Sequence, residues 1–167
     1  MATVTTLPAT FVSGAVLTAA QQNDLRGAFR VLQVVTGTTL TTVSNSTTTF
    51  EPTTLTQTIT PSSTSSKILV FVNHAENAKS SANSENALNI QLLRDATTIA
   101  TLQYGQAYTS STLGLRFSTS NSYLDSPNTT SATTYSTKFA NDSASASVQV
   151  QQIGAAPSTI VLMEISA

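Results

Sequence analysis

From Val31 onward, apolar residues alternate with polar ones over most of the chain, which is the pattern of β-strands that bury one face. Residues 87–93 alternate in this way, residues 94–97 supply a turn, and residues 98–105 return. We therefore predict a β-hairpin over residues 87–104.

The segment 67–74 has a different pattern, because apolar residues fill both sets of alternate positions from 68 to 72. Ile68, Val70 and Val72 point to one side, and Leu69 and Phe71 point to the other. Such a run predicts a central strand that is buried on both faces. His74 should lie at the rim of this strand.

Further segments of strand length complete the pattern, with turn residues between them such as those at 126–128, 141–143 and 156–158. These segments are residues 54–61, 112–120, 120–126, 133–140, 146–153 and 158–165. About eight short strands predict a mainly β fold, namely an antiparallel β-sandwich or jelly roll over residues 33–167. The threonine tracts at 38–42 and 47–49 are interpreted as strands or edge segments.

Two elements precede the strands. Residues 1–17 are predicted to be an extended arm, which is either a disordered tail or a strap on a neighbouring subunit. Residues 18–32 are predicted to be one short helix, because Thr18 and Gln21 form a capping box and an apolar stripe follows. The candidate assembly and anchor residues of both elements are Val4, Leu7, Phe11, Val12, Leu17, Leu25, Phe29 and Leu32.

Charge and composition exclude several functions. Only 9% of the residues are charged, whereas soluble domains have roughly 25%. The seven basic residues are scattered, so we expect neither nucleic acid nor a membrane as a partner. No cysteine is present, which excludes disulfides and thiolate metal sites. The first residues lack the pattern of a secretory signal, so we expect synthesis in a cytoplasm.

Candidate chemistry is sparse. His74 is the single histidine, and no Gly-x-Ser-x-Gly motif, phosphate loop or calcium loop accompanies it. The nearest approach to a ligand cluster is His74, Glu76 and Glu85. We therefore expect no enzyme activity, no cofactor and no metal. Tyr104 and Tyr108 flank Gly105 in a predicted loop, and they are candidate exposed contact residues for a sugar or receptor.

Several stretches resemble parts of small virion proteins of tailed bacteriophages. The stretch SGAVLTAAQQNDLRGAFRVLQVV is similar to their N-terminal segment, and SKILVFVN, IQLLRDATTIA, SYLDSPNTTSATTYSTKFA and STIVLMEIS resemble the β-domain of phage structural proteins. The strand order is also similar to that of trimeric jelly rolls of the tumour necrosis factor and complement type. The resemblance implies a homotrimeric virion surface protein without catalytic residues.

Two functions fit this resemblance. The first is a homotrimeric capsid decoration (cement) protein, whose partners are its own copies and the major capsid protein or other virion proteins. The second is a short tail fibre or receptor-binding tip, whose partner is a host surface glycan. A long shaft is absent from the sequence, so we rank the fibre second.

Overall fold

The computed structural model describes residue 16 and residues 30–81, 85–144 and 146–166. Within these ranges the chain forms β-strands and no helix. The ten strands are β1 (Val31–Thr39), β2 (Val43–Asn45), β3 (Glu51–Ile59), β4 (Lys67–Lys79), β5 (Leu88–Arg94), β6 (Thr97–Gln106), β7 (Leu115–Asp125), β8 (Thr133–Asn141), β9 (Val148–Val150) and β10 (Ser158–Ile165).

The strands form two antiparallel sheets. In sheet A, β4 pairs with β7 along one edge and with β10 and then β9 along the other. Strand β1 extends this sheet beyond β10, and β2 extends it beyond β9. Sheet B has the order β3-β8-β5-β6. Each sheet is therefore four strands wide, because β1 and β2 together form one interrupted strand, and β9 and β10 form another.

The pairing is nested along the chain. The interrupted strand of β1 and β2 pairs with that of β9 and β10. Inside this pair, β3 pairs with β8, β4 pairs with β7, and β5 pairs with β6. The innermost pair is the hairpin β5–β6, whose turn has Asp95 in the left-handed region at φ 52°. Aspartate tolerates this conformation because its short side chain bonds locally, and here Asp95 Oδ1 accepts from the Thr134 amide at 2.9 Å.

The connections between strands lie at two ends of the molecule. We call one the terminus end, because Arg30 and Ser166 lie there and the Ser166 amide donates to the Arg30 carbonyl at 2.9 Å. It also carries the connections at 60–66, 95–96 and 126–132. The other is the loop end, with connections after β2, β4, β6 and β8. Residues 1–29 therefore join the sheets at the terminus end.

The core between the sheets consists of two apolar clusters. The larger one contains Leu55, Ile68, Val70, Leu92 and Leu162 among others, and so draws from both sheets. The smaller one lies nearer the loop end and contains Leu88, Ile90, Phe139, Val148 and Val150. The two sheets thus pack against each other through their buried faces, as the alternation of buried and exposed side chains along the strands requires.

Sheet A and sheet B approach closely along one edge, where β1 passes β3. A Cβ atom placed on Gly37 would lie 2.3 Å from the carbonyl oxygen of Thr56, well inside contact distance. The absence of a side chain at Gly37 is therefore what allows the two backbones to come together. The hydroxyls of Thr39 and Thr54 hydrogen-bond across the same gap at 2.7 Å.

The structure confirms some of the sequence predictions and contradicts others. The mainly β class, the antiparallel arrangement and the 87–104 hairpin are confirmed. The described residues form ten strands rather than about eight, and the segments 112–120 and 120–126 form one strand, β7. Apart from residue 16, the predicted arm lies outside the described residues, as does nearly all of the predicted helix. The end predicted for that helix is wrong, because Val31 and Leu32 begin β1.

The predicted burial of both faces of 67–74 is also wrong for this chain alone. The side chains of Ile68, Val70 and Val72 are buried, but Phe71 on the opposite side is 42% exposed. The alternation itself is confirmed, and it places Phe71 on the side of β4 that faces away from the core.

Candidate functional site

A belt of buried polar side chains separates the two apolar clusters of the core. His74 follows Val72 on the inward side of β4, and its Nε2 lies 3.1 Å from the hydroxyl of Thr137 on β8. That hydroxyl lies 2.5 Å from the hydroxyl of Thr53 on β3. The belt therefore links the two sheets through the hydrogen bond between His74 and Thr137.

Burial lowers the pKa of His74 to about 4, so its imidazole is neutral at pH 7. The ring is 1% exposed, and Nδ1 has no hydrogen-bond partner among the described residues. The prediction that His74 lies at a strand rim is therefore wrong. A substrate cannot reach a side chain this deeply enclosed, and its ring bonds to the buried Thr137 hydroxyl, so the geometry supports a structural role.

The belt continues beside a bulge in β4. The register with β7 shifts between His74 and Asn77, and Glu76 has a positive φ of 52°. Asn77 is fully buried, and its side-chain amide donates to the Thr119 hydroxyl at 3.3 Å. The bulge changes the direction of β4 at the point where its neighbouring strand changes from β10 to β9.

A buried glutamine connects the two interrupted strands, which are β1 with β2 and β9 with β10. Gln151 lies between β9 and β10, and its Nε2 donates to the carbonyls of Thr39 at 3.1 Å and Ala156 at 2.9 Å. Its Oε1 accepts from the hydroxyl of Ser158, which in turn accepts from the Ala75 amide at 3.0 Å. These bonds satisfy backbone groups that the strand interruption would leave unpaired.

Glu164 is a buried carboxylate near the terminus end. It accepts hydrogen bonds from Gln33 Nε2 at 2.6 Å, and from the amide and hydroxyl of Ser62 at 2.7 and 2.6 Å. Burial alone would raise the pKa of Glu164, but these donors outweigh it and lower the pKa to about 2. The sequence analysis missed this group, although Glu164 continues the buried alternation of Ile160 and Leu162.

A second buried polar cluster joins β5, β7 and β8 at the terminus end. Arg94 Nη1 lies 3.0 Å from both carboxylate oxygens of Asp125, and the Tyr135 hydroxyl donates to Asp125 at 2.6 Å. Burial raises the pKa of Tyr135, and the bond to Asp125 raises it further. The phenol therefore stays protonated and serves as a donor that fixes the ion pair.

The loop end carries a shallow depression. Its lining residues are Lys79, Ser80, Ser81, Gly114, Leu115, Arg116 and Gln152. The Lys79 ammonium donates to the Thr109 hydroxyl at 2.5 Å, and burial lowers its pKa. The lining contains no carboxylate and no histidine, so it holds no acid pair.

Metal-ligating side chains are dispersed in the part of the chain that the structure describes, where no three His, Asp or Glu residues could share one ion. In particular, the sequence candidates His74, Glu76 and Glu85 form no such group. No helix within the described ranges is long and apolar enough to cross a membrane.

The outer face of sheet A is the surface that departs from the expected polar exterior. The pairing register aligns Val34 with Met163, Met163 with Leu69, and Leu69 with Leu124. These four residues, which we call the apolar row, cross the sheet from edge to edge. Val34 is 52% exposed and Leu124 is 56% exposed.

Two further rows lie beside the apolar row on the same face. The first contains Thr36, Val161, Phe71 and Ser122, and the second contains Thr38, Thr159, Asn73 and Ser120. The face therefore changes from apolar to polar toward the loop end. We call these three rows together the outer face of sheet A.

Sheet B has the opposite character on its outer side. A comparable row across it contains Thr56, Ser136, Leu93 and Thr98. Leu93 is buried, so hydroxyls form the accessible part of this row. The contrast means that the apolar row is specific to sheet A and does not reflect the overall composition.

The predicted contact residues can be located only in part. Leu32 lies at the start of β1 and is exposed, whereas Val4, Leu7, Phe11, Val12, Leu17, Leu25 and Phe29 lie outside the described residues. Tyr104 is 79% exposed in β6, and Tyr108 is 54% exposed just beyond it, toward the loop end. Their role as a contact site stays a prediction.

Comparison with known proteins adds no family to this picture. No family model matches the chain, and none of the curated proteins matches it either. The fold and the surfaces described above are therefore the basis for a functional proposal.

Proposed function

We propose that the chain is a non-catalytic structural protein of a bacteriophage virion, and that it acts as a homotrimeric capsid decoration protein. The observation that carries this proposal is the nested order of the strands in the two sheets, each of which is four strands wide. This nested order supports a jelly roll, which is a recurrent fold of viral capsid and lectin domains. The sequence resemblance to phage virion proteins points the same way.

The position of the chain termini supports a role in attachment. Arg30 and Ser166 are bonded to each other at the terminus end, so residues 1–29 are joined to one end of the sheets. A segment of this length, attached at one end, can extend to a neighbouring capsomer. The major capsid protein or another virion protein would be its partner, and many weak contacts over a shell add to a large stabilisation.

The inner chemistry also supports a structural role. Each buried titratable side chain described above has a partner or position that explains it structurally: Glu164 joins β10 to Ser62, and Asp125 joins Arg94 to Tyr135. Because fold alone does not define function, the proposal needs a direct test.

Counting the copies in purified particles tests the proposal. Quantitative mass spectrometry of virions should give hundreds of copies per particle, and light scattering of the recombinant chain should give three times the 17.4 kDa of one subunit. Absence of the chain from particles would refute a virion function. A handful of copies would instead favour a tail position.

A short tail fibre or receptor-binding tip is the second candidate, and one specific observation favours it. The exposed rings of Tyr104 and Tyr108 lie toward the loop end, away from the end that Arg30 occupies. This arrangement would hold the aromatic rings away from the attachment point, where they could stack on a host surface glycan. Replacing both tyrosines with alanine should abolish adsorption to host cells in this case, and should leave it unchanged if the protein decorates the capsid.

A further inference from the structure

The outer face of sheet A carries the apolar row, whereas the other surfaces of the described residues are rich in hydroxyls. Single exposed apolar residues are ordinary, but a row of four that crosses a whole sheet is a contiguous surface. Phe71 and Val161 enlarge it in the next row. Water contact with this surface is unfavourable, so a covering partner would stabilise the protein.

The face also carries no charge. None of the twelve positions in its three rows is ionisable. Among the described residues, Lys67 lies one row beyond the apolar row, and Glu76 and Arg116 lie beyond the Asn73 row toward the loop end. The ammonium of Lys67 is already bonded to the Ser126 hydroxyl at 2.7 Å.

An uncharged face is suited to meeting its own copies. Close to a rotation axis a side chain meets the same side chain of the other subunits, so a charge there would face a like charge. Apolar and hydroxyl side chains carry no such penalty. A partner of a different kind, chosen by charge, would leave a complementary charge on the face, and the three rows have none.

We propose that the outer face of sheet A lies at the symmetry axis of a homo-oligomer and contacts the same face of the other copies. The inference rests on the homotrimer proposed above and names the surface that forms it. Leu69, Met163 and Phe71 occupy the two inner strands of the face, so they form the centre of the contact.

The size of the face agrees with a central contact rather than a complete interface. Four strands spaced about 4.8 Å apart, with about 6.8 Å between successive side chains on one face, give three rows a projected area of about 400 Å². A standard interface takes roughly 800 Å² from each partner. Exposed residues beside the face, such as Val31 and Leu32 on β1, would supply part of the remainder.

Charge substitutions on and off the face provide the test. The full chain with Leu124→Arg, and separately with Phe71→Arg, should lose the oligomer and elute in light scattering at the 17.4 kDa of one chain. Leu113→Arg is the matched control, because Leu113 is also exposed, at 50%, but lies in the connection after β6. This control should keep the wild-type mass, and circular dichroism should show that all three variants are folded.

The outcomes separate this inference from the proposed function. If the wild type and both face variants have the same oligomeric mass, the inference is wrong while the homo-oligomer stands. If the wild-type chain is a monomer at micromolar concentration, both the inference and the homotrimer are wrong. If it is a monomer whose face exchanges amide hydrogens only after residues 1–29 are deleted, those residues cover the face and the inference is overturned.

Where a variant does not fold, a second measurement decides. Leu124→Ser and Leu113→Ser remove the apolar side chain without adding a charge. Equilibrium sedimentation should show a dissociation constant at least tenfold higher for Leu124→Ser than for Leu113→Ser. Equal dissociation constants for these two variants would contradict the inference.

Discussion

Lowering the pH should destabilise the fold through His74, because the folded protein keeps this imidazole neutral. In the unfolded chain the pKa of His74 is the ordinary 6.5, whereas burial lowers it to about 4 in the folded chain. Between these two values the unfolded chain binds a proton that the folded chain excludes. Stability is therefore unaffected above about pH 6.5 and falls as the pH is lowered toward 4.

The magnitude follows from the shift in pKa. Each pKa unit corresponds to about 1.4 kcal/mol, so the full window from pH 6.5 to 4 is worth about 3 kcal/mol. At pH 5 most of this loss has already occurred, and we expect about 2 kcal/mol less stability than at pH 8. A domain with a free energy of unfolding of about 5–15 kcal/mol would show this change clearly.

Urea unfolding at several pH values between 8 and 5 measures the effect. His74→Gln is the matched variant, because its amide can still bond to the Thr137 hydroxyl but does not titrate. The difference in free energy of unfolding between wild type and variant should shrink by about 2 kcal/mol from pH 8 to pH 5. All measurements need one fixed protein concentration, because the stability of an oligomer depends on it.

Parallel pH profiles for the wild type and His74→Gln would refute this reasoning. They would mean that the imidazole titrates similarly in both states, and hence that it is hydrated in the folded protein. Glu164 does not confuse the result, because its effect belongs to a lower pH window, between its ordinary 4.5 and about 2.

Three further predictions concern other parts of the molecule. Replacing Gly37 with alanine should cost at least about 2 kcal/mol in urea unfolding, because the new Cβ would meet the Thr56 carbonyl; an unchanged midpoint would show that β1 and β3 can separate without loss. Glu164→Gln should cost about 2 kcal/mol at pH 7, because its charge-assisted hydrogen bonds are lost, and it should remove the stability loss otherwise expected as the pH falls from 4.5 toward 2. Deleting residues 1–17 should leave the melting temperature of the strands unchanged but abolish attachment to particles in a pull-down; retained attachment would show that these residues are not the anchor.

The strands themselves could be predicted from local patterns. Alternation of apolar and polar residues, together with turn residues, located β3, β5, β6, β8 and β10 within a few positions. The hairpin of β5 and β6 is local, so sequence neighbours determine it. The pairing of β1 with β10 and of β3 with β8 joins distant segments, and no local pattern encodes which strands meet.

The character of individual sites was harder to predict for the same reason. His74 looked like a rim residue, because the sequence gives no indication that β4 continues to Lys79 and carries the ring into the core. Phe71 looked buried, because apolar residues fill both sides of its segment. Whether a second apolar face is covered depends on what packs there, and Phe71 stays partly exposed in the part of the chain that the structure describes.

The position of β10 determines when the outer face of sheet A comes into existence. This strand follows the other nine in the sequence but lies in the middle of its sheet, between β1 and β4. Until it leaves the ribosome, β1 has no neighbour in the sheet, and Met163 is missing from the centre of the apolar row. In the assembly proposed above, subunits would therefore associate through this face only after β10 has completed the sheet.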